Sequence, residues 1–97
     1  MIDLTGTWTV SGQRYAITFD RLVDNTFRGR YTGIDDASIF VAQVFSSPRG
    51  TVVSMVQTHP ERNYYATYSL RLSAANTLQG SYADVESNAT NVAFVKQ

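Results

Sequence analysis

The chain has 97 residues, enough for one domain, and its eight Lys and Arg balance its eight Asp and Glu to a formal net charge of zero. Five residues of each sign precede Gly50 and three of each follow, so no charged half or tail exists to dock on nucleic acid or an anionic membrane. No apolar run approaches the roughly 18 residues of a membrane span, and the absence of cysteine excludes a disulfide framework, a thiol nucleophile and a cysteine metal site.

Glu and Lys together number three while Val, Ile and Thr number twenty-five, a composition that suits pleated strands better than solvated helices. Met1-Ile2-Asp3 lacks the basic and long apolar regions of a secretory signal, but a chain starting at a mature N-terminus reads the same way, which leaves the compartment open.

Period-two alternation recurs between turn signals about every 10 to 12 residues, as in an all-β sandwich or barrel. The first predicted strand, Leu4 to Val10, sets Leu4, Gly6, Trp8 and Val10 against three threonines. After Ser11-Gly12, the second places Tyr15, Ile17 and Phe19 inward. After Asp24-Asn25, the third places Phe27, Gly29 and Tyr31 inward, opposite Arg28 and Arg30. The fourth, Ala37 to Phe45, is apolar on both faces, with Ile39, Val41 and Phe45 on one and Phe40, Ala42 and Val44 on the other. Past the Pro48-Arg49 hairpin, the fifth, Thr51 to Thr58, is similarly two-faced, and a slip of one residue in either strand would exchange its core set. The sixth turns Tyr64, Ala66, Tyr68, Leu70 and Leu72 inward. The seventh, Thr77 to Ala83, turns in Leu78, Gly80 and Tyr82, and the eighth, Ala89 to Lys96, turns in Val92 and Phe94.

Asn25-Thr26-Phe27-Arg28-Gly29-Arg30-Tyr31 reappears 51 residues later as Asn76-Thr77-Leu78-Gln79-Gly80-Ser81-Tyr82. Each copy follows a hairpin turn and sets a glycine between two large inward side chains, where a curled sheet lets a neighbour approach the backbone. Eight short strands with tight sequential links predict an all-β fold, an eight-stranded antiparallel up-and-down β-barrel, since closure removes the sheet edges.

The Gly6-Thr7-Trp8 of the first strand resembles the opening of avidins and, more loosely, of lipocalins and small bacterial protease inhibitors, the calycin barrels. Phe27-Arg28-Gly29-Arg30-Tyr31-Thr32-Gly33 is similar to the third avidin strand, so the resemblance spans about the first third of the chain. It implies a structural Trp8 closing one barrel end beneath a basic side chain from a late strand, Lys96 or Arg71, and outer faces that pack together. It also implies a polar ligand-binding residue at Val10 and a serine at Gly33. Both are replaced here, and Trp8 is the only tryptophan, so biotin binding is not predicted.

Four inward tyrosines are the leading functional signal, because buried phenols need partners: they either ring a polar cavity or reach the rim. The expected function is non-enzymatic binding of a small molecule, with Tyr15, Tyr31, Tyr68 and Tyr82 as polar handles and Phe19, Phe27 and Leu70 as apolar lining. The alternative is a protein-interaction module, such as a protease inhibitor or an assembly subunit. Phe40, Val44, Val53 and Met55, or the opposite parity set, are expected to form an outer apolar patch that a second copy covers. No cofactor or metal site is expected. His59, with Pro60 and Glu61, reads as a solvated loop. Asp35-Asp36 reads as a turn, and Arg28 and Arg30 as a solvated wall balanced by Asp20 and Asp24. Asn88-Ala89-Thr90 fits a glycosylation sequon.

Overall fold

Each alternating segment becomes a strand in the computed structural model, which describes residues 2–97. In chain order these are β1 (Gly6–Val10), β2 (Ala16–Val23), β3 (Thr26–Thr32), β4 (Ile39–Ser47), β5 (Gly50–Thr58), β6 (Tyr65–Ala74), β7 (Thr77–Asp84) and β8 (Thr90–Lys96). Every strand pairs antiparallel with its sequence neighbour and β8 returns to β1, which closes an up-and-down barrel with no free edge.

The connections divide the barrel into unlike ends. At one end β2–β3, β4–β5 and β6–β7 turn in two residues each, 24–25, 48–49 and 75–76. Asp24 adopts φ 46° and Gly50 φ 121°, the left-handed geometry common in short hairpins. At the other end the loops run over 11–15, 33–38, 59–64 and 85–89. The longer loops thus gather around one mouth.

The tight-turn end is plugged. Gly6, at φ 119°, bends the chain ahead of β1, so that Leu4 does not extend the strand as the alternation predicts but lies buried inside the barrel end. Its carbonyl accepts the Trp8 indole N–H at 3.0 Å. Lys96 holds its ammonium 5.8 Å from the centre of the Trp8 ring and donates to the Asp3 carbonyl at 3.3 Å. Arg71, the other basic candidate, is exposed on the outer wall opposite Val52 and Gln79. Below the plug, Phe19, Phe27, Leu70, Leu78 and Phe94 fill the interior, and the space left there is about 10 Å³ with an apolar lining, too small for a ligand.

The parity of β4 and β5 differs from the expected outer patch. Phe40, Val44, Val53 and Met55 are all buried, and Phe40 faces Gln57, Ala42 faces Met55 and Val44 faces Val53 across the ladder. The opposite parity would carry Gln43, Ser54 and Thr58 into the core, whereas the observed one carries in a single amide, Gln57. The outer apolar residues are instead Val41, Phe45 and Val56.

The 51-residue echo is structural. The β2–β3 ladder breaks register between Arg21 and Val23, and the β6–β7 ladder breaks at the equivalent Leu72 and Ala74. The two hairpins lie four strands apart, on opposite sides of the barrel. A Cβ on Gly29 would stand 2.7 Å from the Phe19 ring and 2.8 Å from Ile17, and one on Gly80 would fall on the Ser69 carbonyl and 2.9 Å from the Leu70 Cα. Strong curvature at β3 and β7 therefore rests on residues without side chains. Gly80→Ala is expected to lower stability by about 2–3 kcal/mol, because its neighbours are backbone. Gly29→Ala should cost about 1–2 kcal/mol, because Phe19 and Ile17 can shift. Urea denaturation of the two variants measures the order.

Candidate functional site

At the mouth the interior stops being filled. A cleft of about 330 Å³ opens between the longer loops, with Tyr15, Tyr31, Tyr64, Tyr68 and Tyr82 in its wall. Val10, Ile17 and Phe94 form its apolar floor, and Ser11, Gln13, Thr90 and Asn91 contribute polar groups from the β1–β2 loop and β8. All four tyrosines assigned to the site from sequence thus meet in one place. Phe19, Phe27 and Leu70, expected as apolar lining, lie deeper, in the plugged half, because the side chains of the mouth layer separate them from the opening. Tyr65 points outward and is 52% exposed, so Tyr64 takes the inward position of that pair.

The aromatic rings form a continuous chain. Tyr15 meets Tyr31 edge-on with centroids 5.3 Å apart, Tyr31 meets Phe40 at 5.0 Å, Phe40 lies 6.1 Å from Tyr68, and Tyr68 stacks on Tyr82 at 5.3 Å. Edge-to-face and stacked pairs at these spacings are attractive beyond the area they bury.

Gln57 organises the polar side of this chain. It is 3% exposed and projects inward from β5. Its Oε1 accepts the Tyr68 hydroxyl at 2.7 Å, while its Nε2 donates to Ser38 Oγ at 3.1 Å and to the Tyr31 hydroxyl oxygen at 3.2 Å. Tyr31 is therefore an acceptor in this network, which leaves its own proton free for the cleft. Among the described residues no buried side-chain polar atom lacks a partner. Gln57 and Ser38 are not marked by the sequence pattern itself, and Tyr64, read there as inward, is not among the residues expected at the site. The signal for Gln57 is its spacing from Val53 and Met55, legible only once the parity of β5 is known.

Two carboxylates stand at the rim. Asp84 accepts the Tyr64 hydroxyl at 2.9 Å, the Glu86 amide at 2.9 Å, and the Ser87 amide and hydroxyl at 2.8 Å each. Donation from the Glu86 amide first, then from Ser87 and Tyr64, holds its carboxyl below the usual range. At Asp36, burial opposes ionisation, but the Ser38 hydrogen bonds and the nearby His59 and Arg62 outweigh it and lower the value. His59 is not the solvated side chain the loop composition suggests. Its side chain is 10% exposed, with Nε2 3.7 Å from Asp36, and Nδ1 accepts the Glu61 amide at 3.1 Å. Glu61 thus meets the ring through its backbone and not as an acid/base partner. No group of three metal-binding side chains occurs among the described residues.

The four longer loops and the strand end beside them carry Asp35, Asp36, Glu61, Asp84 and Glu86 against Arg14 and Arg62, a formal charge of −3 with His59 neutral. The walls and plugged end carry Asp3, Asp20 and Asp24 against Arg21, Arg28, Arg30, Arg49, Arg71 and Lys96, a charge of +3. The neutral chain is therefore polarised along the barrel axis. Comparisons of the chain with protein-family models, curated proteins and solved structures find no match. Fold and site alone define the class: a closed eight-stranded barrel, plugged at one end and open at an aromatic, electronegative mouth.

Burial raises the phenols of this site. It pushes Tyr31 up to about 12 against the opposing Gln57 hydrogen bond, and it pushes Tyr68 higher still. Tyr64 is raised by burial and by its bond to Asp84. Groups that hold protons more tightly when folded lend stability that is complete below the unfolded value of 10 and is lost as pH rises through 12 and beyond. Stability in urea should accordingly fall above about pH 10. Tyr68→Phe, which orphans the Gln57 carbonyl, should lower stability by about 1–3 kcal/mol at neutral pH and weaken that alkaline loss.

Proposed function

We propose that this barrel acts by binding, taking a small molecule at its open mouth without chemical conversion. The observation that carries the reading is the contrast between the two ends: one closed by Leu4, Trp8 and Lys96, the other open over about 330 Å³ and walled by five tyrosines. A cleft of this size, with an apolar floor and a few convergent polar groups, is the usual form of a small-ligand site. The resemblance of the first strand to avidins and lipocalins supports the same reading, since eight-stranded barrels of that kind hold one small ligand. Val10 and Gly33 argue for a ligand other than biotin: the first is part of the apolar floor of the cleft, and the second is a loop residue at φ 96°.

A screen of small fragments followed by amide NMR shifts tests this directly. Bound fragments should move the signals of Ser11, Gln57, Tyr82 and Asn91 and leave those of Leu4, Met55 and Leu78 in place. Fragments that gather only on the outer wall, or none that binds, would overturn it.

A second reading, self-assembly, is favoured by the outer face of β4 and β5. Val41, Phe45 and Val56 are 42%, 49% and 45% exposed, Val41 lies opposite Val56, and Phe45 lies opposite the half-buried Val52. These side chains form two apolar pairs on one sheet face, with the exposed Gln43 and Ser54 between them, a face that suits packing against the same face of a second copy. Light scattering at micromolar concentration should report a dimer, and Val41→Ser with Phe45→Ser should return it to a monomer. A wild-type protein that stays monomeric at those concentrations would sink the assembly reading and leave the mouth untouched.

A further inference from the structure

We infer that the mouth selects an organic cation, a protonated or quaternary amine. The inference deepens the small-ligand reading above and rests on it. A cation is attracted to the π-face of an aromatic ring, most strongly where water is excluded, and several rings around one cavity are the recurrent means of holding an ammonium group. Here five phenols share one cleft, and four of them, Tyr15, Tyr31, Tyr68 and Tyr82, are tied through Phe40 into a single aromatic chain. Among the described residues no Lys, Arg or His lines the cleft, so an anionic ligand would find hydroxyls but no countercharge there.

The rim adds the complementary sign. The ion pairs among the described residues are Arg21–Asp3, His59–Asp36 and Arg62–Asp36, so Asp84 carries its charge without a cationic partner while bonded to a wall residue, Tyr64. The fields of Asp36 and Asp84 reach the phenols: Asp36 helps raise Tyr31, and Asp84 helps raise Tyr64, each after the larger effect of burial. A potential that disfavours a tyrosinate favours a cation in the same space. Arg14 and Arg62 are exposed and outnumbered at the mouth, whose formal charge of −3 draws cations toward it. The space of about 330 Å³ corresponds to about ten water molecules, which suits a small amine and not a long chain.

Three probes of one shape and different charge separate the alternatives: choline, its neutral carbon analogue 3,3-dimethylbutan-1-ol, and the anion 3,3-dimethylbutanoate. Titrated against the intact protein by calorimetry and amide NMR, choline should bind at least about tenfold more tightly than the alcohol, with shifts at Tyr82 and Asn91, and the anion should bind weakest. Raising the ionic strength from about 0.01 to 0.15 M should weaken choline and spare the alcohol. Tyr82→Phe keeps a ring and should retain choline, Tyr82→Leu should lose about fivefold or more, and Asp84→Asn should lose a few-fold. Equal or tighter binding of the alcohol or the anion at the mouth would overturn the inference and leave the small-ligand reading standing. So would silence from all three probes beside other fragments that do occupy the mouth. An empty mouth across the whole fragment screen would remove both.

Discussion

A primary amide taken out of water must find a donor for its oxygen and acceptors for its nitrogen, and Gln57 does so within a 3% exposed position. Much of the molecule depends on that requirement. Meeting it holds β5 in the parity that turns Val53 and Met55 inward, and the ladder then turns Phe40, Ala42 and Val44 inward on β4. The same bonds hold Tyr68 and Tyr31, whose rings flank Phe40 in the aromatic chain of the mouth. An apolar residue at this position would free the Tyr68 hydroxyl and Ser38 from their shared partner. The amide therefore marks the level at which the barrel changes from a filled core to an open site.

Below that level the barrel is built by repetition. The β2–β3 and β6–β7 hairpins share a glycine, a register break and a two-residue turn at positions 51 apart, and they stand on opposite sides of the barrel. Curvature is thus supplied at two opposed places, where Phe19 lies across Gly29 and the β6 backbone approaches Gly80. Repetition also reaches the mouth, since Tyr31 and Tyr82 are equivalent positions of the two hairpins. Their surroundings then diverge. Tyr31 is tied to Gln57 and meets Phe40 edge-on, whereas Tyr82 stacks on Tyr68. A repeated scaffold accordingly presents an asymmetric site.

Strand positions, closure, the two glycines and the inward tyrosines were legible because each depends on local alternation, which survives in sequence. What was not legible has a common cause. β4 and β5 carry large apolar residues on both faces, so hydrophobicity alone does not choose between Phe40 and Val41, and the choice is made by where Gln43, Ser54 and Gln57 end up. Phe19, Phe27 and Leu70 share the inward face of the tyrosines, yet strand parity says nothing about depth along the axis. Depth depends on the plug formed by Leu4, which requires the bend at Gly6. His59 likewise reads as solvated from Pro60 and Glu61, its chain neighbours, while the group that holds it, Asp36, belongs to a loop two strands away.

Charge shows the same limit most clearly. In an up-and-down barrel every second connection returns to the same end, so residues that share an end are spaced through the whole chain. Counting by halves of the sequence averages the two ends together and yields balance. Sorted by end, the same sixteen charges place −3 at the mouth and +3 on the walls and plugged end of a molecule 38 Å in its longest extent. The two-residue turns carry only Asp24 and Arg49, which cancel, whereas the longer loops and the strand end beside them collect carboxylates that accept amide hydrogen bonds, as Asp36 and Asp84 do. The loop chemistry that satisfies the backbone at the mouth therefore also sets the sign of its field. With no net charge to act at long range, that axial separation is what distinguishes the mouth from the rest of the surface for an approaching ion.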